Sequence, residues 1–307
     1  MQNLACKKAA PKLVIYFQVS EIYFPDCLVF CGNYGIFVRD IKVTLLMKRL
    51  FILICSAAVM VLAAGSCDKD NTDGKDKVGV DGETPLPEAV DLGTVVNGKT
   101  VKWASFNLGA SRDYEYGNYY AWGEASAKED YSWGTYAFAD GANNKLTKYC
   151  TRIDVSYWGR EDFPDGQESL LPEDDIAKVK LGGKWRMPTE ADFNALFALK
   201  ENPDYEWEYW VPAKDAEGNG LKDAAGKDVL GLRITRKSTG ASLFLPMCGY
   251  SINTNLGFMT KSTGYYWTSD LNFQKSDEAV GVFLSSSNII TSNFIRSRGH
   301  AIRPVCD

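Results

Sequence analysis

The chain has 307 residues, a formal net charge of -5 and a pI near 5.2. This acidic balance excludes the broad basic surface with which proteins bind nucleic acid. The sequence holds one histidine, His300, which excludes metal sites built from several histidines and argues against a Ser/His/Asp triad. The alternation of His300 with Ile302 and Pro304 predicts a strand position rather than a catalytic role.

A secretion signal is the clearest feature of the N-terminal part. The basic pair Lys48 and Arg49 is followed by an apolar run over 50–62 and by small residues that lead to Cys67. The run is shorter than the roughly 20 residues that span a bilayer. Because Ala-Gly-Ser precedes Cys67, the segment resembles a bacterial lipoprotein signal, which implies lipidation of Cys67. The alternative is an ordinary signal cleaved near Ser66.

The segments on either side of this signal are not expected to belong to the working fold. An export signal works at the N-terminus, so residues 1–46 are predicted to be an over-called start before Met47, or disordered. The alternative is a real extension with an apolar segment at 28–38. Residues 68–88 hold few large apolar side chains, which predicts a flexible acidic linker.

The remaining residues, 89–307, are predicted to form one globular domain. Its first feature is Asn97-Gly98 between two β-rich runs, which predicts a two-residue hairpin. Residues 93–100 also match the phosphate-binding loop formally. That loop needs a helix at its Lys-Thr, whereas 101–106 is strand-like, so we expect no nucleotide there.

Helices and strands follow in a mixed order. A short strand is predicted at Trp185. Thr189, with Asp192 three residues later, then predicts the capped start of a helix, which ends at Asn202-Pro203. A shorter helix is predicted over 174–180. At 205–210 the alternation predicts a strand with one core face. The predicted strands of the C-terminal half are 205–211, 229–235, 242–245, 265–268, 279–284 and 300–305.

A set of short segments carries a family resemblance. In order they are residues 90–93, 103–104, 107–110, 116–124, 182–190, 245–246 with 249–250, 264–269 and 301–305. Together they resemble the Fibrobacter succinogenes major paralogous domain family, common among Bacteroidetes lipoproteins, over most of 90–307. The resemblance implies an α+β domain with long loops and a C-type lectin-like fold, but fold alone implies no activity.

The cysteines and one acidic loop bear on metal and redox chemistry. After Cys67 only Cys150, Cys248 and Cys306 remain, so at most one disulfide is expected, and their spacing does not suit zinc. Cys248 lies in an apolar run and is predicted to be a buried small hydrophobe. Residues 215–220 resemble the start of a calcium loop but lack its final glutamate, so a hairpin is predicted. No metal and no cofactor are expected.

The candidate ligand residues are rings and one carboxylate in loop-rich stretches: Tyr119, Trp122, Glu124, Trp133 and Trp267. Rings on loops can form platforms for sugars or peptides. For Trp267 the preferred interpretation is a core position. Acids on loops are usually only solvated, so a functional role for Glu124 is not the preferred interpretation.

The sequence thus predicts a non-catalytic lipoprotein that binds a glycan or protein ligand or mediates adhesion. Asp68 and Asp70 beside Cys67 resemble the signal that sends Bacteroides-type lipoproteins from the outer membrane to the cell surface; the periplasmic face is the alternative. A structural component of a surface or fimbrial complex is the second hypothesis. A carbohydrate-active hydrolase using Glu124, or the pair Asp113 and Glu115, is the third.

Overall fold

The structure is a computed structural model that describes residues 27–31, 34–38, 79–150, 165–215, 217–223 and 225–307, the first two ranges by their backbone only. The chain divides into two compact units, Met1–Asp73 and Gly74–Asp307. In the first unit, strands β1 (Cys27–Cys31) and β2 (Tyr34–Val38) form an antiparallel pair. The predicted signal with Cys67, and linker residues 68–78, lie outside the described residues.

The second unit is a loop-rich α+β domain, as predicted. Its helices are α1 (Ile176–Leu181) and α2 (Glu190–Phe197), with short 3-10 turns at Trp133–Thr135 and Ala198–Glu201. Its strands are β3 (Ala89–Val96), β4 (Lys99–Ala104), β5 (Trp185–Arg186), β6 (Tyr205–Pro212), β7 (Leu230–Arg236), β8 (Ser242–Pro246), β9 (Tyr250–Ile252), β10 (Asn255–Phe258), β11 (Gly264–Leu271), β12 (Glu278–Leu284), β13 (Ile289–Ile295) and β14 (Val305–Cys306).

The described residues of this unit form four antiparallel sheets, in the orders β3-β4-β14-β5, β6-β7-β8, β11-β12-β13 and β9-β10. The first sheet joins the two ends of the domain, because Val305 of β14 pairs with both Trp103 of β4 and Arg186 of β5. Its two faces contribute to different core clusters. Trp103 and Val305 belong to the cluster that includes Phe193 of α2, and Trp185 belongs to a second cluster with α1 and the loop around Trp122.

One turn and one helix cap show why these elements form where the sequence predicts. Asn97 and Gly98 both have positive φ, 51° and 76°, so they form the hairpin between β3 and β4. The formal phosphate-loop match at 93–100 therefore runs through a hairpin, with no helix at its end. Thr189 caps α2 in a capping box with Asp192, which confirms that prediction.

The domain begins earlier than predicted, because residues 79–88 pack against it. Asp81 accepts hydrogen bonds from the backbone of Glu83 and Thr84, and its carboxylate lies 3.2 Å from Lys180 Nζ. Leu86 packs against the second core cluster. A turn held by one aspartate and one apolar contact orders this segment despite its polar composition, so the predicted boundary at Ala89 was too late.

The predicted strand at 300–305 was wrong in extent. His300 and Ala301 form only isolated bridges, and regular pairing is confined to β14. Pro304 lacks a backbone N–H and cannot continue a ladder. Strands β9, β10 and β13 were not predicted, because their sequences mix Asn, Ser, Thr and Gly with apolar residues and lack clean alternation.

Two further predictions were confirmed. At 205–210 the rings of Trp207 and Tyr209 pack against the first core cluster beside buried Tyr205. The register then shifts between Glu208 and Val211, where Trp210 has φ 53° and is 52% exposed. As the second prediction expects, Lys214 forms a bridge with Gly220, and a similar bridge joins Lys222 and Asp228.

Candidate functional site

Trp122 and Trp267 lie in the core, with 0% of either residue exposed. Trp122 Nε1 donates to the carbonyl of Thr268 at 2.9 Å, and Trp267 Nε1 donates to the carbonyl of Tyr120 at 2.8 Å. The two indoles thus tie the loop at 120–122 to β11 reciprocally. A ring with no exposed surface offers nothing to a ligand, so the ligand prediction for this pair is replaced by a structural role. For Trp267 this confirms the preferred core interpretation.

Glu124 is also engaged in hydrogen bonds within the domain. It is 7% exposed, and its Oε1 accepts from Lys128 Nζ at 2.8 Å and from the backbone N–H of Ala137 at 2.7 Å. These bonds hold the loop from 124 to 137 closed. Of the other acids considered, Glu115 accepts from Ser111 N at 2.7 Å in a local turn.

Trp133 and Tyr119 are half-buried. The Trp133 ring packs edge-on against Tyr136, with centroids 5.4 Å apart. The hydroxyl of Tyr119 donates to the carbonyl of Cys248, and burial raises the pKa of Tyr119, so this hydroxyl stays protonated and donates. Tyr119 lies beneath the β9–β10 hairpin, because a Cβ built on Gly257 would be 3.1 Å from its hydroxyl oxygen.

This hairpin carries an exposed apolar surface that sequence reasoning missed. Leu256, Phe258 and Met259 are 53%, 49% and 44% exposed. We call the segment 250–259 the apolar hairpin. The signal that could have revealed it is the Leu-Gly-Phe-Met run at 256–259, where apolar residues occupy a short exposed strand that is normally polar.

The apolar hairpin is held firmly at its base. Gly249 N donates to Thr263 O and Lys261 N donates to Met247 O, both at 2.7 Å. Met259 and Lys261 have positive φ values of 61° and 69°, which residues other than Gly, Asn and Asp adopt rarely. Three apolar side chains are therefore presented to solvent on a fixed scaffold.

His300 lies in an aromatic enclosure and is fully buried. Its ring stacks on Trp267 with centroids 3.9 Å apart, and Tyr250, Tyr265 and Phe294 surround it. Neither ring nitrogen has a hydrogen-bond partner in the described part of the chain. Burial lowers the pKa of His300 well below its usual value, so the ring is neutral.

The acids and thiols considered for metal chemistry have structural surroundings. Asp215 accepts from Asn219 N at 2.7 Å and from its side-chain nitrogen at 3.0 Å, which closes the predicted hairpin. Cys248 is buried, as predicted, and burial raises the pKa of its thiol to about 11. Across the described residues, no group of three or more His, Cys, Asp or Glu side chains is placed to hold a metal ion.

Two clefts border Arg186. One, of about 480 Å³, is lined by Arg186, Asp192, Glu190 and Asp270 among others. Its acids are engaged: Asp192 accepts from Arg186 Nη1 at 2.6 Å and from Thr189 N at 2.7 Å, and Asp270 accepts from Glu190 N at 2.5 Å. Because these carboxylates already cap the N-terminus of α2, this cleft is part of the scaffold. The second cleft is basic and is described below.

Comparison with protein-family models, curated proteins and solved structures finds no match for this chain. The family resemblance and the C-type lectin-like fold therefore stay predictions. Within the described ranges, no helix has the length and apolar character needed to cross a membrane.

Proposed function

We propose that this chain is a lipid-anchored, non-catalytic binding protein whose C-type lectin-like domain contacts a protein ligand through the apolar hairpin. The observation that carries the proposal is the exposure of Leu256, Phe258 and Met259, which follow one another closely along β10 and at its end. Contiguous exposed apolar side chains mark interaction surfaces more often than isolated ones. Cys67 would supply the anchor, in the outer membrane and facing the cell surface; an unmodified Cys67 in the mature protein would contradict that part.

The chemistry of the exposed side chains on the apolar hairpin favours a protein ligand over a sugar. Leu256 and Met259 are aliphatic and offer no flat ring for a sugar face, and the ring of Phe258 packs edge-on against Tyr250 at 5.6 Å. Full burial of an apolar side chain is worth about 1.5–3 kcal/mol, so burying three half-exposed ones adds about 3 kcal/mol. That corresponds to about 100-fold in affinity.

The test compares purified Gly74–Asp307 with a triple variant, Leu256→Ser, Phe258→Ser and Met259→Ser, on arrays of extracellular proteins and of glycans. A matched control, Val95→Ser with Val179→Ser, removes exposed apolar side chains elsewhere. We expect selective protein binding that the control keeps and the triple variant loses by about 100-fold. Equal binding by both variants, or binding to glycans alone through the hairpin, would contradict the proposal.

A structural role in a surface or fimbrial complex is the second candidate, favoured by β13. This seven-residue strand is the edge of its sheet, and no strand pairs with its outer side among the described residues. Open edges can accept a strand from another subunit. The test is whether envelope proteins copurify with the full chain in stoichiometric amounts. Copurification that Thr291→Pro abolishes and the triple hairpin variant keeps would favour this role.

A further inference from the structure

The second cleft beside Arg186 is strongly basic. It has a volume of about 930 Å³ and is lined by five cationic side chains and one acid: Lys99, Lys102, Lys178, Lys184, Arg186 and Asp307. The chain as a whole has a net charge of -5. We call this depression the basic cleft. A local excess of cations on an acidic protein creates a field that concentrates anions.

Most of these cations are not neutralised by strong ion pairs. Lys99 and Lys102 lie 3.6 Å from Asp307 and Asp91 respectively, in pairs that are substantially exposed. Such pairs contribute little and can be exchanged for a ligand's anions. Lys184 is exposed and pairs with no acid in the described part of the chain. Two cations are held more firmly: Lys178 Nζ donates to the carbonyl of Gly183 at 2.6 Å, and Arg186 pairs with Asp192 and Asp307.

The arrangement of the lysines fits a chain of anions rather than a single ion. Lys102 lies on β4 opposite Cys306 and on the same face of the sheet, whereas Lys99, three positions earlier, starts the same strand on its other face. Lys178 extends from α1 and Lys184 from the turn before β5. Lysine ammoniums are separate point charges on flexible stems, which suits repeated carboxylates or sulfates better than one bidentate group.

The shape distinguishes between polyanions. The charges line an open depression whose lining also includes the smaller residues Ala89, Thr100 and Cys306. A flat layer of lipid headgroups does not enter a depression, whereas a polymer strand does.

We infer that the basic cleft is a second binding site, separate from the apolar hairpin, for an acidic polysaccharide that carries regularly spaced carboxylate or sulfate groups.

Cys306 allows binding to be located within the cleft. Its thiol is partly exposed, whereas Cys150 and Cys248 are fully buried, so a thiol-alkylating reagent should modify Cys306 first. Burial raises the pKa of Cys306, so its alkylation is slow enough to follow. A ligand in the cleft should slow this alkylation, and the variant Cys306→Ser identifies any signal from the other thiols.

The experiment uses purified Gly74–Asp307, which contains all the core clusters described above. Polygalacturonate is the probe, with its methyl-esterified form as the uncharged match. The test variant is Lys102→Glu with Lys184→Glu; the control, Lys222→Glu with Lys227→Glu, changes the net charge equally at two exposed residues outside the cleft. Circular dichroism confirms that both variants fold. Each protein is titrated by calorimetry and followed by Cys306 alkylation.

We expect polygalacturonate to bind and protect Cys306, the esterified polymer not to bind, and added salt to weaken binding. The test variant should lose about tenfold or more in affinity and the control should change less than about twofold. The inference is overturned if both variants bind alike or if no polyanion protects Cys306. It is also overturned if vesicles containing phosphatidylglycerol protect Cys306 while polygalacturonate does not.

Discussion

Replacing Arg303 with methionine should destabilise the domain by about 3–5 kcal/mol. Arg303 is fully buried and forms no ion pair with a carboxylate among the described residues. Instead its guanidinium donates to four oxygens: Asn107 Oδ1 at 2.8 Å and the carbonyls of Ala104 at 3.0 Å, Ser105 at 2.8 Å and Phe244 at 2.8 Å. One side chain near the C-terminus thereby fastens the end of β4 and strand β8.

The magnitude follows from what the substitution leaves behind. Three buried carbonyls lose a charged donor, and each unsatisfied buried acceptor costs about 1–3 kcal/mol. Methionine fills similar volume, and removing a buried cation recovers desolvation energy, so the lower half of that sum applies. Burial lowers the pKa of Arg303 to about 10, which reports the same desolvation.

Urea unfolding of the wild type and Arg303→Met, followed by tryptophan fluorescence and near-UV circular dichroism, measures the difference. Coincident transitions justify a two-state free energy. The control is Arg112→Met, because Arg112 is exposed and donates only to the hydroxyl of neighbouring Tyr114. If Arg303→Met stays within about 1 kcal/mol of the control, the carbonyls are not held as described and the reasoning fails.

Two further predictions concern buried charge. Asp192→Ala should lower the free energy of unfolding in urea by about 3 kcal/mol, because Arg186 loses its carboxylate partner and Thr189 loses its capping-box partner. The control Glu201→Ala changes an exposed residue and should lower it by less than about 0.5 kcal/mol. Equal losses in the two variants would refute this account. The second prediction concerns His300. As the pH falls, His300 takes up a proton in the unfolded chain at a higher pH than in the folded domain, because burial lowers its pKa in the folded state. The free energy of unfolding should therefore decrease as the pH drops below about 6.5, by about 1.4 kcal/mol at pH 5.5. The variant His300→Leu should not show this part of the decrease. Identical pH profiles of the wild type and the variant would contradict the prediction.

Local signals predicted the parts of the fold that local physics determines. Asn97-Gly98 specifies a hairpin through two positive φ values, and Thr189 with Asp192 specifies a helix start through two reciprocal hydrogen bonds. Such features need only a few neighbouring residues. The strands around them followed from alternation, within one to three residues at most ends.

The site depended on contacts that no short stretch encodes. Trp122 and Trp267 are 145 positions apart, yet each indole bonds the other's neighbourhood, which converts two candidate ligand rings into core. Conversely, Phe258 resembles a core residue in sequence but is half exposed on β10, opposite Tyr250 at the base of the hairpin. The lysines of the basic cleft come from separate elements, so their clustering is visible only in the fold.

Photo-crosslinking on living cells tests the central claim, protein binding through the apolar hairpin, most directly. A photoreactive amino acid is placed at Phe258 in the full chain, and at Val95, which is 57% exposed, as the matched control. The proposed function predicts discrete protein adducts from position 258 that are absent from position 95. No adduct at 258, or the same adducts from both positions, would contradict it.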